Sequence, residues 1–172
     1  ARRLGRKKMI QMAGVGVTRY WPRAARNDAG DPMALIIASY VIALLLFALL
    51  DIIWLSIMGP ALYKPVLGDI LAPEVRMGPA AAFYLMYPVG LVVFAILPAI
   101  KSDQLSSALM LGALLGAITY ATYDLTNFAT LRNWTLQLTV LDIVYGALMG
   151  AAVSAAGYLA APPVAAWLGG QV

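Results

Sequence analysis

Asp51, Asp124 and Asp142 each stand within a long apolar run. An acidic residue at the centre of a membrane helix costs roughly 2.5–3.5 kcal/mol on insertion scales, so each of these asks for a partner or a purpose. Their neighbours supply candidates. Between Thr119 and Asn127, Tyr120 stands four residues before Asp124 and Tyr123 four before Asn127, spacings that share a helix face. Asp51 is followed three residues later by Trp54, and Asp142 by Tyr145. Arg76 and Arg132 fall in flanking polar segments and can arrive as counter-ions. Carboxylates with aromatic and amide neighbours suit a headgroup, pigment or small-molecule pocket, or a site that holds a proton. The plainer reading carries more weight: aspartates that hydrogen-bond Tyr, Asn or Arg of neighbouring helices, set their register and do nothing further.

Composition removes other chemistries. The chain has no histidine and no cysteine. Haem, zinc and copper lose their usual imidazole ligand, and iron–sulfur clusters, thiol catalysis and disulfides are excluded. No haem, iron–sulfur or zinc centre is expected. A retinal Schiff base is excluded by position, because Lys64 and Lys101 are the lysines beyond the N-terminal segment and neither lies in an apolar run. A pigment held through Asn, Gln, a carboxylate or water stays open, and structural lipids are the expected cofactors.

The elements that must carry these residues are membrane helices. In 172 residues, 62% are apolar and 12% charged, against a globular norm of roughly 45–50% and 25%. The mean hydropathy is +0.82. Four apolar runs are each long enough to cross a bilayer. The first extends from Met33 to about Met58, closed by Gly59-Pro60. A loop of some 20 residues follows, with Pro60, Pro65, Pro73 and Pro79 arguing against a continuous helix. The second covers about Pro79 to Ile100, the turn Lys101–Gln104 follows, and the third covers Leu105 to about Asn127. The segment Phe128–Thr135 reads as an interfacial loop, and the fourth span covers Leu136 to about Ala161, before Pro162-Pro163. The expected fold is all-α: a polytopic four-helix transmembrane bundle over residues 33–161, with a basic N-terminal arm over 1–32 and a C-terminal tail over 162–172. Trp54, Tyr63, Tyr84, Tyr87 and Trp134 fall near one predicted boundary and Trp167 near the other, the pattern of an aromatic belt. Small residues offer packing ridges: Gly112 and Gly116 in the third span, and Gly146, Gly150 and Ser154 in the fourth.

Charge sets the expected orientation. Residues 1–32 hold eight of the twelve Lys and Arg (Arg2, Arg3, Arg6, Lys7, Lys8, Arg19, Arg23 and Arg26) against Asp28 and Asp31. The positive-inside rule then places the arm and Lys101, and both termini, on the cytoplasmic, matrix or stromal side. The three aspartates fall in the opposite leaflet.

The stretches Asp51-Ile-Ile-Trp54-Leu, Ala81-Ala-Phe83-Tyr84-Leu-Met-Tyr87 and Tyr120-Ala-Thr-Tyr123-Asp124-Leu-Thr-Asn127, with Arg132, Trp134 and the late Asp142, resemble a bacterial family of small membrane proteins catalogued as a domain of unknown function. The resemblance covers roughly Met33 to Ala161 and is most specific at Thr122–Asn127. It implies four helices whose polar motifs in the first, third and fourth belong together, and it implies no reaction. The basic arm is an addition to it. An arm that starts on Ala and has no acid in its first 26 residues reads as a processed extension pinned by a partner or by anionic lipid. Nucleic acid ranks below both.

The expected function is therefore a non-catalytic accessory subunit of a large respiratory or photosynthetic membrane complex, in a mitochondrial inner, thylakoid or bacterial inner membrane. Its arm and bound lipids would stabilise an interface with other subunits. The alternative is a lipid-handling or proton-coupled membrane enzyme or carrier that uses Asp51, Asp124 and Asp142.

Overall fold

The structure, a computed structural model, describes residues 31–169, so the arm's basic residues lie outside the described residues. Four helical stretches are long and apolar enough to cross a membrane: Pro32–Ile70, Met77–Ser102, Leu105–Thr130 and Leu136–Gly169. No strand occurs among the described residues, and the fold is an all-α polytopic bundle. Helix α1, Pro32–Met58, starts where the sequence signals a start. The Met33 N–H donates to the Asp31 side chain at 3.1 Å, and Pro32 occupies the first turn, where its missing N–H costs nothing.

The expected stop at Gly59-Pro60 is not a stop. The first span widens into a π turn, Gly59–Tyr63, in which the Lys64 N–H donates to the Gly59 carbonyl five residues back. It continues as α2, Lys64–Leu67, and a 3-10 turn, Gly68–Ile70. A proline ring collides with the carbonyl four residues earlier and brings no N–H, and a widened turn relieves both problems without ending the helix. The reversal comes at Gly68, whose φ of 50° and ψ of −123° suit a residue without Cβ.

The second span makes the same adjustment. Helix α3, Met77–Leu91, passes through a π turn at Val92–Ile96, where the Leu97 N–H reaches the Val92 carbonyl, into α4, Leu97–Ser102. Pro98 follows directly. The short turn closes on Asp103 in the left-handed region, a conformation Asp tolerates better than most residues. The Tyr158 hydroxyl donates to Asp103 at 3.1 Å and ties this turn to the fourth span.

Helix α5, Leu105–Thr130, and helix α6, Leu136–Gly169, form the closest pair. The expected tail after Ala161 is a correction, since α6 runs through Pro162 and Pro163 to Gly169. Ala161 and Ala165, both fully buried, pack with Leu35 and Ala38 of α1, so tertiary contact holds the helix across the two prolines.

The two ridges of small residues prove to be one seam. A Cβ on Gly112 would overlap the Gly150 carbonyl and Ser154, and one on Gly116 would overlap the Gly146 carbonyl. A Cβ on Gly146 would strike the Tyr120 ring. In lipid, where apolar contact between helices gains little over contact with acyl chains, such backbone proximity is a main source of association. Phe47, Tyr87, Leu91, Ile96, Met149 and Val153 fill the space between the first, second and fourth spans. Substituting Gly116→Val should therefore lower unfolding free energy in detergent by about 1–3 kcal/mol, or abolish folding. Gly78→Ala, where an added Cβ meets nothing within 4 Å, should stay within about 0.5 kcal/mol of wild type.

Candidate functional site

The bundle end that carries the connections 71–76 and 131–135 gathers side chains from all four spans around two carboxylates. Asp51, on the inward face of α1, is 6% exposed. Its carboxylate accepts a hydrogen bond from Tyr84 of α3, and a longer one, 3.4 Å, from Tyr120 of α5. Asp142, near the start of α6, is 5% exposed and accepts from the Tyr63 hydroxyl at 2.7 Å. Tyr63 in turn accepts the indole N–H of Trp54 at 2.8 Å. The Trp54 ring stacks on Tyr145 with centroids 4.1 Å apart and planes 8° from parallel. Tyr145 meets the Tyr120 ring edge to face at 5.8 Å. Asp142, Tyr63, Trp54, Tyr145, Tyr120, Asp51 and Tyr84 thus form one unbroken chain of contacts through the four spans.

A cavity of 440 Å³ lies beside this chain. Asp51 and Asp142 both line it, together with the rings of Trp54, Tyr63, Phe83, Tyr120, Tyr123 and Trp134. Leu55, Leu67, Leu71 and Thr119 complete the wall. Leu55, Leu71 and Tyr123 are exposed and form its rim, while Leu67 and Trp134 are buried. The Trp134 indole N–H donates to Thr139 at 3.1 Å, and the Thr119 hydroxyl to the Leu115 carbonyl at 2.7 Å.

Asp124 is fully buried behind this wall, on the stripe of α5 that carries Gly112, Gly116 and Tyr120, and it interacts electrostatically with Asp142. Neither of its carboxylate oxygens has a hydrogen-bond partner among the described residues. Asn127 hydrogen-bonds Tyr123, one turn before it on α5. Arg132 and Arg76 are exposed, and Asp51 and Asp142 accept hydrogen bonds from tyrosines instead. Among the described residues no group of three His, Cys, Asp or Glu is arranged to hold a metal ion.

The aromatic belt expected at this boundary is a second correction. Tyr87 and Trp134 are buried, and Trp54, Tyr63 and Tyr84 are partly buried with their polar atoms turned toward carboxylates or one another. A tyrosine hydroxyl or indole N–H enters an apolar interior most readily when it finds a partner. Asp51 supplies one for Tyr84, Asp142 for Tyr63, Tyr63 for Trp54 and Thr139 for Trp134, while the buried Tyr87 hydroxyl has none among the described residues. Trp167 is 65% exposed. Tyr63, Tyr84 and Phe83 are site residues that sequence reasoning missed. The cluster Phe83, Tyr84, Tyr87 offered a signal, because Phe83 and Tyr84 stand four and three residues before Tyr87 and share a helix face with it. Tyr63 offered none, because its placement depends on the π turn that carries the helix past Pro60.

Four apolar helices and an interior polar site define a polytopic membrane protein. The model of a family described as predicted membrane protein (DUF2177) matches residues 36–159, and the chain belongs to that family, whose function is unknown. The matched stretch takes in both cavity carboxylates and Asp124, and excludes the basic arm. No curated protein and no solved structure matches the chain.

Tyr63→Phe removes the donor to Asp142 and the acceptor for Trp54 together. It should cost about 1–3 kcal/mol, and a double-mutant cycle with Trp54→Phe should show a coupling of about 0.5 kcal/mol or more. Denaturation of the purified variants in detergent measures both.

Proposed function

We propose that this chain is a membrane-embedded, lipid-handling binding protein or carrier that holds one amphipathic molecule in the cavity between its four spans. One observation supports this reading above others: a 440 Å³ space with mainly aromatic and aliphatic walls and two carboxylates, rimmed by exposed apolar side chains. Pockets of about 300–1,000 Å³ with a few convergent polar groups in an apolar wall are the usual form of small-ligand sites. An apolar rim lets an acyl or alkyl chain remain partly in lipid while the polar end enters. The Thr119 hydroxyl is committed to a backbone carbonyl, and the tyrosine hydroxyls bonded to Asp51 and Asp142 act here as donors that hold the two carboxylates in place.

A single bound amphipathic molecule should be retained when the protein is extracted in a mild neutral detergent, detectable by native mass spectrometry. Thr119→Trp fills the cavity and should remove that molecule while leaving the helical content and the elution volume unchanged. Absence of any such molecule from wild type, with no added amphiphile bound in titration, would refute the reading.

The basic arm motivates a second reading, an accessory subunit in an energy-transducing membrane complex, through its eight Lys and Arg and its lack of acids up to residue 26. Deleting residues 1–31 would then release the intact bundle from a larger particle. The same charge asymmetry favours both termini on the cytoplasmic, matrix or stromal side, with the cavity in the opposite leaflet. The chain has no cysteine, so single-cysteine labelling is unambiguous. Arg132→Cys should react with an impermeant maleimide from the outer side, and Gln104→Cys only after permeabilisation; the reverse pattern would invert the topology.

A further inference from the structure

We infer that the cavity selects an organic cation, an ammonium group carried on an apolar chain; the inference rests on the reading of this cavity as a binding site. The first argument is the donor inventory. The Trp54 N–H is given to Tyr63, the Tyr63 hydroxyl to Asp142, and the Tyr120 hydroxyl to Asp51. The Trp134 N–H is given to Thr139 and the Thr119 hydroxyl to Leu115. Every hydrogen-bond donor on a lining side chain is thus committed to the protein, apart from the hydroxyl of Tyr123 at the exposed rim. What the cavity presents inward is acceptor oxygens and aromatic rings. Such a surface has little to offer a phosphate, sulfate or carbonyl, and much to offer a group that brings its own donors.

The second argument is charge. Asp51 and Asp142 line the cavity, and among the described residues no lysine or arginine does. Asp124, buried behind the wall, adds a third acidic group to the same side. Carboxylates held in a low-dielectric interior interact strongly, and a cation lodged near them offsets the cost of burying them. The aromatic wall serves the same ligand. Trp54 has one face covered by Tyr145 and its N–H occupied, so its remaining face and edge are what it can offer the cavity, and an indole face is the best aromatic partner for a cation. A bare metal ion fits poorly, since hard cations require about six or more oxygen ligands and the lining supplies two carboxylates. An ammonium carried on an alkyl chain suits the volume, the charge and the apolar rim together.

The ammonium can come from a lipid headgroup or from a free alkylamine, and the test separates the two. The full chain is titrated in nanodiscs with hexylammonium, hexanol and hexyl sulfate, which share one tail and differ in head charge, with tryptophan fluorescence as the readout. The expected result is hexylammonium binding about 10-fold or more tighter than hexanol, with hexyl sulfate weakest. Asp142→Asn should bring hexylammonium to within about 2-fold of hexanol, and retained hexanol binding shows that the variant still folds. Equal binding of hexylammonium and hexanol by wild type overturns the cation proposal and leaves the cavity a binding site. Binding of none of the three, with no co-purifying amphiphile, removes the cavity reading itself. Given the expected preference, weaker apparent hexylammonium binding in phosphatidylcholine discs than in discs of an uncharged galactolipid, which lacks the ammonium but carries no net surface charge, identifies a headgroup as the competing ammonium. Equal binding in the two lipids identifies a free alkylammonium.

Discussion

Hydrocarbon does not solvate a carboxylate, and most of this architecture follows from how Asp51 and Asp142 are accommodated. Each accepts hydrogen bonds from tyrosines that belong to other segments: Tyr84 and Tyr120 for Asp51, Tyr63 for Asp142. Because the donors come from other segments of the chain, satisfying the acids means bringing the spans to one place in one register. The stacked pair of Trp54 and Tyr145 then joins the two hydrogen-bonded groups into a single network. Water could meet the same demand at a surface; inside a bilayer the protein has to meet it with its own side chains.

Proline and glycine make that convergence possible in opposite ways. Gly112, Gly116, Gly146 and Gly150 let α5 and α6 approach until backbone meets backbone, which sets Tyr120 against Gly146 and brings Asp124 near Asp142. Pro60 and Pro98 accompany widened turns, which change the direction of every later side chain on the helix. At the first of these turns the change carries Tyr63 to Asp142. A proline that would end a helix in water is here part of how the site is assembled, because tertiary packing and the wider turn together replace the lost hydrogen bond.

Much of the site was legible in the residues themselves. Asp51, Trp54, Tyr120, Asp142 and Tyr145 were marked by one feature, a polar or aromatic residue at helical spacing from an acid in an apolar run. Gly112 and Gly116, with Gly146, Gly150 and Ser154, were marked by their four-residue interval. Tyr63, Tyr84 and Trp134 were assigned to an interfacial belt, since position near a span end looks the same for a ring facing lipid and a ring facing an acid. Arg132 and Arg76 looked like counter-ions from proximity in sequence, yet both are exposed and the bonds to the acids come from phenols.

The chain by itself determined the solvent, the number of crossings and the excluded chemistries, because these depend on composition and on run length, which are properties of local sequence. It also determined which acids need a partner, since burial in an apolar run follows from the run alone. Which partner each acid receives was decided by the tertiary structure. Partner choice depends on the rotation of one helix against another, and that rotation is set by glycine contacts and widened turns between segments far apart in sequence. The cavity belongs to the same level: it is the space left when four helices pack around two carboxylates, and no single helix contains it.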